Sequence, residues 1–111
     1  MKKVLITGID SFTGVHLSSY LENSGYDVYG TSLSKTAEKK YKCDITNKEE
    51  ILTVLNTVKP DFFVHLSGIS FTAHGNSEDF YRVNTIGTIN ILDAFIESNL
   101  KPQKIINQDK K

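Results

Sequence analysis

Apolar residues recur along this chain in two alternating ways: short unbroken runs, and longer stretches where they return every three or four positions. Lys3–Thr7 holds the run Val4-Leu5-Ile6, too brief for a helix and closed by Gly8, which predicts a buried strand. Thr13–Ser24 predicts a helix, with Leu17, Tyr20, Leu21 and Ser24 on one face and Gly25 at its stop. Asp27–Thr31, rich in Val and Tyr, predicts a second strand. Ser32–Lys40 is small and polar and reads as a loop or a short irregular helix. Tyr41–Cys43 predicts a brief third strand ending at Asp44.

Asn47 is placed to cap the next helix, with Glu49 and Glu50 in its first turn to suit the dipole. Ile51, Val54, Leu55 and Val58 repeat at helical spacing, and Pro60 marks the exit. Phe62–Leu66 predicts a fourth buried strand. Ser67–Asn76 reads as a loop, and Ser77 as the cap of a long helix through Ser98. That helix carries Phe80, Val83, Ile86, Ile89, Ile91, Leu92, Phe95 and Ile96 almost all round, which predicts cover on more than one side. Lys104–Asn107, beyond Pro102, predicts a fifth strand, and 108–111 a polar tail.

Strand and helix alternate throughout, so the expected architecture is α/β, with a doubly wound parallel sheet of four to five strands and helices on both faces. Ligands of such sheets sit beyond the carboxyl ends of the strands, where strand order reverses. The first and fourth strands are expected to flank that crevice.

Composition narrows the partners. The chain has 111 residues, which bounds it to one domain. Lys+Arg and Asp+Glu are both 13, so no basic excess points to nucleic acid or an anionic membrane. Val4-Leu5-Ile6 behind the basic start is too short for a secretory signal or a membrane span. The single cysteine, Cys43, excludes an internal disulfide and reads as a small buried hydrophobe. A cytoplasmic location is the resulting expectation. Of the three histidines, His16 falls on a helix, His65 at a strand end and His74 in a loop. No pair has metal-ligand spacing, so no metal site is expected, and His65 is expected to pack or hydrogen-bond at the core edge.

The candidate chemistry lies in the turn after the first strand. Gly8-x-x-Ser11-x-x-Gly14 is close to a dinucleotide fingerprint, in which a tight turn aims backbone N–H groups and a helix N-terminus at a diphosphate. Gly8 permits the turn, and Gly14 lets the helix press close. The middle position is Ser11 rather than glycine; its side chain either crowds the phosphate or donates a hydrogen bond to it. The simpler alternative is a structural turn without a ligand.

Several phrases together resemble the extended short-chain dehydrogenases, the NAD-dependent epimerase/dehydratase family of nucleotide-sugar enzymes. Thr7-Gly8-x-x-Ser11-Phe12-Thr13-Gly14 resembles the TGxxGFxG start. Cys43-Asp44-Ile45-Thr46 resembles the segment after the third strand, Lys59–Gly68 the PDxVxHLAA/G strand, and Tyr81–Ala94 the NxxGTxNLLEA helix. The finer likeness is to GDP-mannose dehydratases and GDP-4-keto-6-deoxymannose reductases. The resemblance implies a Rossmann-type fold and a dinucleotide held by Gly8, Ser11, Phe12, Thr13, Gly14, Thr31, Ser32, Asp44, Ile45, Leu66, Ser67 and Gly68. It implies that Asp44 accepts a hydrogen bond from the adenine amino group, the alternative being that Asp44 only caps a turn. Asn84 is implied to tie its helix to the neighbouring strand.

NAD and NADP are separated by the end of the second strand, where an acid binds the ribose hydroxyls of NAD. Gly30-Thr31-Ser32-Leu33-Ser34-Lys35 has no acid there, and its hydroxyls and Lys35 favour NADP. The family's reaction uses a Ser/Thr near the fifth strand and a Tyr-x-x-x-Lys pair. None of the five tyrosines has lysine four residues on, so no catalytic residue is assigned and no turnover is expected. The substrate domain is expected to be absent, with a nucleotide-sugar bound only in a full-length form. The chain reads as residues 1–107 of a cofactor domain, either a fragment or a frameshift product; the alternative is a stand-alone NAD(P)-binding module without chemistry. A flavodoxin-like signalling domain shares the rhythm but lacks its acidic cluster. The family's long helix also forms a four-helix dimer contact with the tyrosine-bearing helix. Without that partner, the 77–98 helix is expected to expose apolar residues and self-associate.

Overall fold

The computed structural model describes residues 1–33, 36–66, 77–98, 100 and 102–107, with the backbone alone for 77–85. In chain order the elements are β1 (Lys3–Thr7), α1 (Phe12–Asn23), β2 (Asp27–Ser32), β3 (Lys40–Lys42), α2 (Lys48–Val58), β4 (Phe62–His65), α3 (Ser77–Ser98) and β5 (Lys104–Asn107). The strands form one five-stranded sheet in the order β3-β2-β1-β4-β5. Every pairing is parallel, and Thr7 at the end of β1 stands between Thr31 of β2 and His65 of β4. This is the doubly wound Rossmann-type sheet expected, with its order reversing at β1.

The run Val4-Leu5-Ile6 is apolar at every position because both faces of the sheet are covered. Successive strand side chains point to opposite faces. Val4 and Ile6 join Val28, Val64 and Leu66 under Leu17 and Leu21 of α1. Leu5 and Phe63 pack on the other face with Ile51, Val54, Leu55 and Val58 of α2 and Ile91, Ala94 and Phe95 of α3. Phe63 and Phe95 meet edge-to-face with ring centroids 5.0 Å apart. Each such buried side chain contributes about 1.5–3 kcal/mol.

Local signals set the helix ends. Asn47 caps α2, its side chain accepting from the amides of Glu49 and Glu50. Gly25 follows α1 with φ +95°, the left-handed conformation that glycine adopts without strain. Ser32–Lys40 contains the end of β2 and a turn closed by a bridge between Ala37 and Lys40.

One expectation is corrected. Tyr20 and Ser24 do not share the buried face of α1: Ser24 is exposed, and Tyr20 is 68% exposed, one position off the stripe that Gly14, Leu17 and Leu21 present to the sheet. The part of α3 whose side chains are described is covered on one side only and exposes apolar residues, as expected. Ile91, Ala94 and Phe95 are buried, whereas Ile89, Leu92 and Ile96 form an open stripe.

Candidate functional site

The chain leaves β1 through Thr7 into Gly8, whose φ of 71° turns it sharply. Ser11 then caps α1. Its φ of −70° and ψ of 166° suit any residue, which explains why serine stands where the fingerprint has glycine. The hydroxyl accepts from the Gly14 amide at 3.0 Å and donates to the Gly8 carbonyl at 2.8 Å, and both bonds close the turn. The amides of Phe12 and Thr13, in the first turn of α1, have no intrahelical acceptor. That turn carries no acidic residue, whereas α2 places Glu49 and Glu50 there. The partial positive charge at the α1 N-terminus therefore has no acidic side chain in the first turn beside it. Phe12 offers its backbone alone: the ring is exposed and packs edge-on against His16.

Gly14 is buried for a reason closer than the sheet. A Cβ there would lie 2.4 Å from the Gly8 oxygen and 2.6 Å from the Ile9 oxygen, so the glycine lets the helix start directly over its own turn. The turn is also fixed to β2. The Ile9 amide donates to the Thr31 carbonyl at 3.1 Å, and the Ile9 side chain lies where a Gly30 Cβ would point. Glycine inside a strand was the sequence signal for that approach.

Thr31 and Ser32 end β2 beside the turn, both buried. Ser32 donates its hydroxyl proton to Asp10 at 2.6 Å, and Lys40 of β3 pairs with the other Asp10 oxygen at 2.7 Å. Sequence reasoning missed Asp10 and Lys40, because they meet only across the folded sheet. No acid lies at the carboxyl end of β2 itself, but the turn brings one there.

Asp44 follows β3 and is exposed. Its Oδ1 accepts from the Thr46 amide at 2.9 Å and the Thr46 hydroxyl at 2.7 Å, while its own amide donates to Glu50 at 2.8 Å. These bonds make the turn-capping arrangement. Ile45 points into the core, where its Cδ1 would meet a Cβ on Gly87, and its carbonyl accepts from Asn90 at 3.0 Å. Asn90 thus ties α3 to this segment, while the side chain of Asn84 lies outside the described atoms.

Beyond β4, the Leu66 amide donates to the Thr7 hydroxyl at 2.9 Å, holding the two strand ends together. Thr7 Oγ1 also shares a 2.7 Å hydrogen bond with Nδ1 of His65. His65 is buried, Nε2 has no partner among the described residues, and burial lowers its pKa to about 4. Cys43 is buried as well, which pushes its thiol up to about 12 and leaves it protonated and unreactive. Ser67 and Gly68 lie outside the described residues, as do Ser34, Lys35, His74 and the 108–111 tail. Beside Leu66 opens a cavity of about 380 Å³, lined by Thr13, Leu17, Phe62, Val64 and Ile106 among others. Its lining is almost wholly apolar, which does not suit a diphosphate.

The structure therefore gathers Gly8, Ser11–Gly14, Thr31, Ser32, Asp44, Ile45 and Leu66 at one edge of the sheet, the carboxyl ends of β3, β2, β1 and β4. The chain resembles known proteins in sequence and in fold. GDP-6-deoxy-D-talose 4-dehydrogenase of Aggregatibacter actinomycetemcomitans is 37% identical over 99 residues, 88% of this chain and 32% of that protein. UDP-N-acetylglucosamine 4-epimerase of Bacillus cereus superposes with a TM-score of 0.75 at 26% identity, over 96% of this chain and 36% of that one. UDP-glucose 4-epimerase of Bifidobacterium longum, solved with NAD+ and UDP, superposes with a TM-score of 0.81 at 22% identity, over 97% and 37% of the two chains. The chain thus spans about a third of the length of these relatives. Residues 4–107 match the NAD dependent epimerase/dehydratase family, and the chain belongs to that family.

Proposed function

We propose that this chain binds a nicotinamide dinucleotide across the carboxyl edge of its sheet, as the cofactor-binding part of a protein acting on GDP-linked sugars. One observation carries the reading: the acid-free N-terminus of α1 is held by Gly8, Ser11 and Gly14 over the point where strand order reverses. The diphosphate meets the Phe12 and Thr13 amides, the adenosine runs toward Ser32 and Asp44, and the nicotinamide extends past Leu66. Family membership supports the cofactor class, and the relative at 37% identity supports the GDP-linked sugar.

The expected NADP preference rested on the lack of an acid at the end of β2 together with the hydroxyls there and Lys35. Lys35 lies outside the described residues, and Asp10, bonded to Ser32, brings a carboxylate to that strand end from the turn.

With no Tyr-x-x-x-Lys pair among the 111 residues, the chain alone binds without turnover. Calorimetric titration with NADH is expected to give saturable heat, and addition of a GDP-linked keto-sugar to consume no NADH. Absence of heat from a chain with native circular dichroism overturns the binding reading, and NADH consumption overturns the non-catalytic one. We also propose self-association through the open stripe Ile89, Leu92 and Ile96. Sedimentation velocity is expected to show a dimer or larger species that Ile96→Lys dissociates; a monomer at all concentrations contradicts this.

A further inference from the structure

We propose that Asn90 of α3 is a positioning residue for the adenosine end of the site, setting the direction of the Asp44 carboxylate through the Ile45–Thr46 peptide; this rests on the dinucleotide reading above. The Asn90 side-chain amide donates to the Ile45 carbonyl at 3.0 Å. The N–H of that same peptide belongs to Thr46 and donates to Asp44 Oδ1 at 2.9 Å. One planar unit is thus held at its oxygen by α3 and holds the acid with its nitrogen. Helix α3 comes close enough because residue 87 is glycine: a Cβ there would lie 2.3 Å from Ile45 Cδ1 and 2.8 Å from Cγ1. Gly87 and Asn90 stand one turn apart on the same helix face, and they grip Ile45 by its side chain and by its carbonyl.

The consequence falls on the carboxylate. The Thr46 hydroxyl adds a second bond to Oδ1 at 2.7 Å, while Oδ2 has no partner among the described residues. A carboxylate only accepts, so the open oxygen suits an N–H group of a ligand, such as the exocyclic amino group of adenine. Asp44 is exposed, and an exposed side chain without bonds samples several rotamers. The two bonds from Thr46 select one of them, and its direction follows the tilt of the Ile45–Thr46 peptide. Asn90 fixes that tilt from a helix anchored in the core by Ile91, Ala94 and Phe95. An acceptor already held in its bound direction raises affinity by removing an ordering cost at binding.

Titration of the 111-residue chain with NAD+ and with nicotinamide hypoxanthine dinucleotide tests this, because the second carries a 6-oxo acceptor where adenine has its amino donor. Wild type is expected to bind NAD+ about tenfold more tightly, the worth of one hydrogen bond to a charged group. Asn90→Leu and Asn90→Ala both remove the donor and suit a helix. Each is expected to bring the ratio down to about threefold or less, mainly by weakening NAD+. Asn90→Gln retains the donor and is expected to keep more of the preference. Asp44→Ala sets the floor, and adding Asn90→Leu to it is expected to lower the ratio no further, since the asparagine acts through that carboxylate. Circular dichroism and thermal melts identify the folded variants. A wild type without the preference, a ratio unmoved in a folded donor-less variant, or both affinities falling by one factor overturns the proposal. Failure of the folded wild type to bind either dinucleotide instead overturns the underlying reading of the site.

Discussion

Gly14→Ala is expected to destabilise the chain by about 2–3 kcal/mol and to lower Tm by about 10 °C. Helix propensity predicts the opposite sign. Gly14 lies in the first turn of α1, where alanine gains about 0.5–1 kcal/mol over glycine. The clash decides the outcome. The new Cβ would stand 2.4 Å from the Gly8 oxygen and 2.6 Å from the Ile9 oxygen, and backbone atoms cannot rotate aside as a side chain can. Relief requires α1 to lift from the turn, which breaks the Ser11 cap on the Gly14 amide and moves the Phe12 and Thr13 amides. Dinucleotide affinity is therefore expected to fall by at least about tenfold. Gly25→Ala provides the comparison. It meets nothing within 4 Å and suffers only its φ of +95°, a strain of about 1–2 kcal/mol far from the strand ends. Thermal melts and titrations of the two variants separate the effects: both lose stability, but Gly14→Ala alone loses binding. Unaltered melting of Gly14→Ala contradicts the packing described for the turn.

Acid is expected to weaken the fold through His65. Burial lowers its pKa from 6.5 to about 4, so the folded chain keeps the ring neutral while the unfolded chain protonates it. Between those values the unfolded state binds more protons, so stability rises with pH. This contribution is fully present above pH 6.5, is lost as pH falls toward 4, and changes no further below that. The full loss amounts to about 3 kcal/mol, a sizeable part of the stability of a small domain. Asp27 titrates in a lower window. The hydrogen bond from Lys39 holds its carboxyl below 3.8, so its contribution is lost only as pH falls below that value. Urea unfolding at pH 7 and at pH 4.5 is expected to show the steep loss in wild type and a much shallower one in His65→Gln. Equal losses in the two proteins contradict the assignment to His65.

The sequence exposed most of the fold because its signals are local. Val4-Leu5-Ile6 against Gly8, Asn47 ahead of Glu49 and Glu50, and Pro60 after α2 each act within a few residues. The structure found β1, α2, α3 and β5 at the expected places and moved the other boundaries by one residue or so. Family resemblance extended this to the candidate site, where Gly8, Thr31, Ser32, Asp44 and Leu66 converge at the strand ends. What stayed hidden depends on contacts between distant residues. Asp10 lies 22 residues from Ser32 and 30 from Lys40, and nothing in Asp10-Ser11 distinguishes a sheet-edge acid from an ordinary helix-start residue. Asn90 bonds to Ile45 across 45 residues, and its spacing carries no mark of that role. The two bonds of the Ser11 hydroxyl within the turn were likewise hidden, since the spacing alone left its partners open. The exposed stripe of α3 was legible: a helix apolar almost all round needs cover on several sides, and exposed apolar residues were expected of it; Ile89, Leu92 and Ile96 are exposed.

The central claim is that the amides between β1 and α1 hold a diphosphate, and amide chemical shifts of an isotope-labelled chain titrated with NAD+ report on them directly. Saturable shifts at Ile9–Val15, with smaller ones at Ser32 and Asp44–Ile45, are the predicted result. A folded chain whose turn amides stay unmoved while NAD+ saturates some other surface, or while nothing moves at all, contradicts the account.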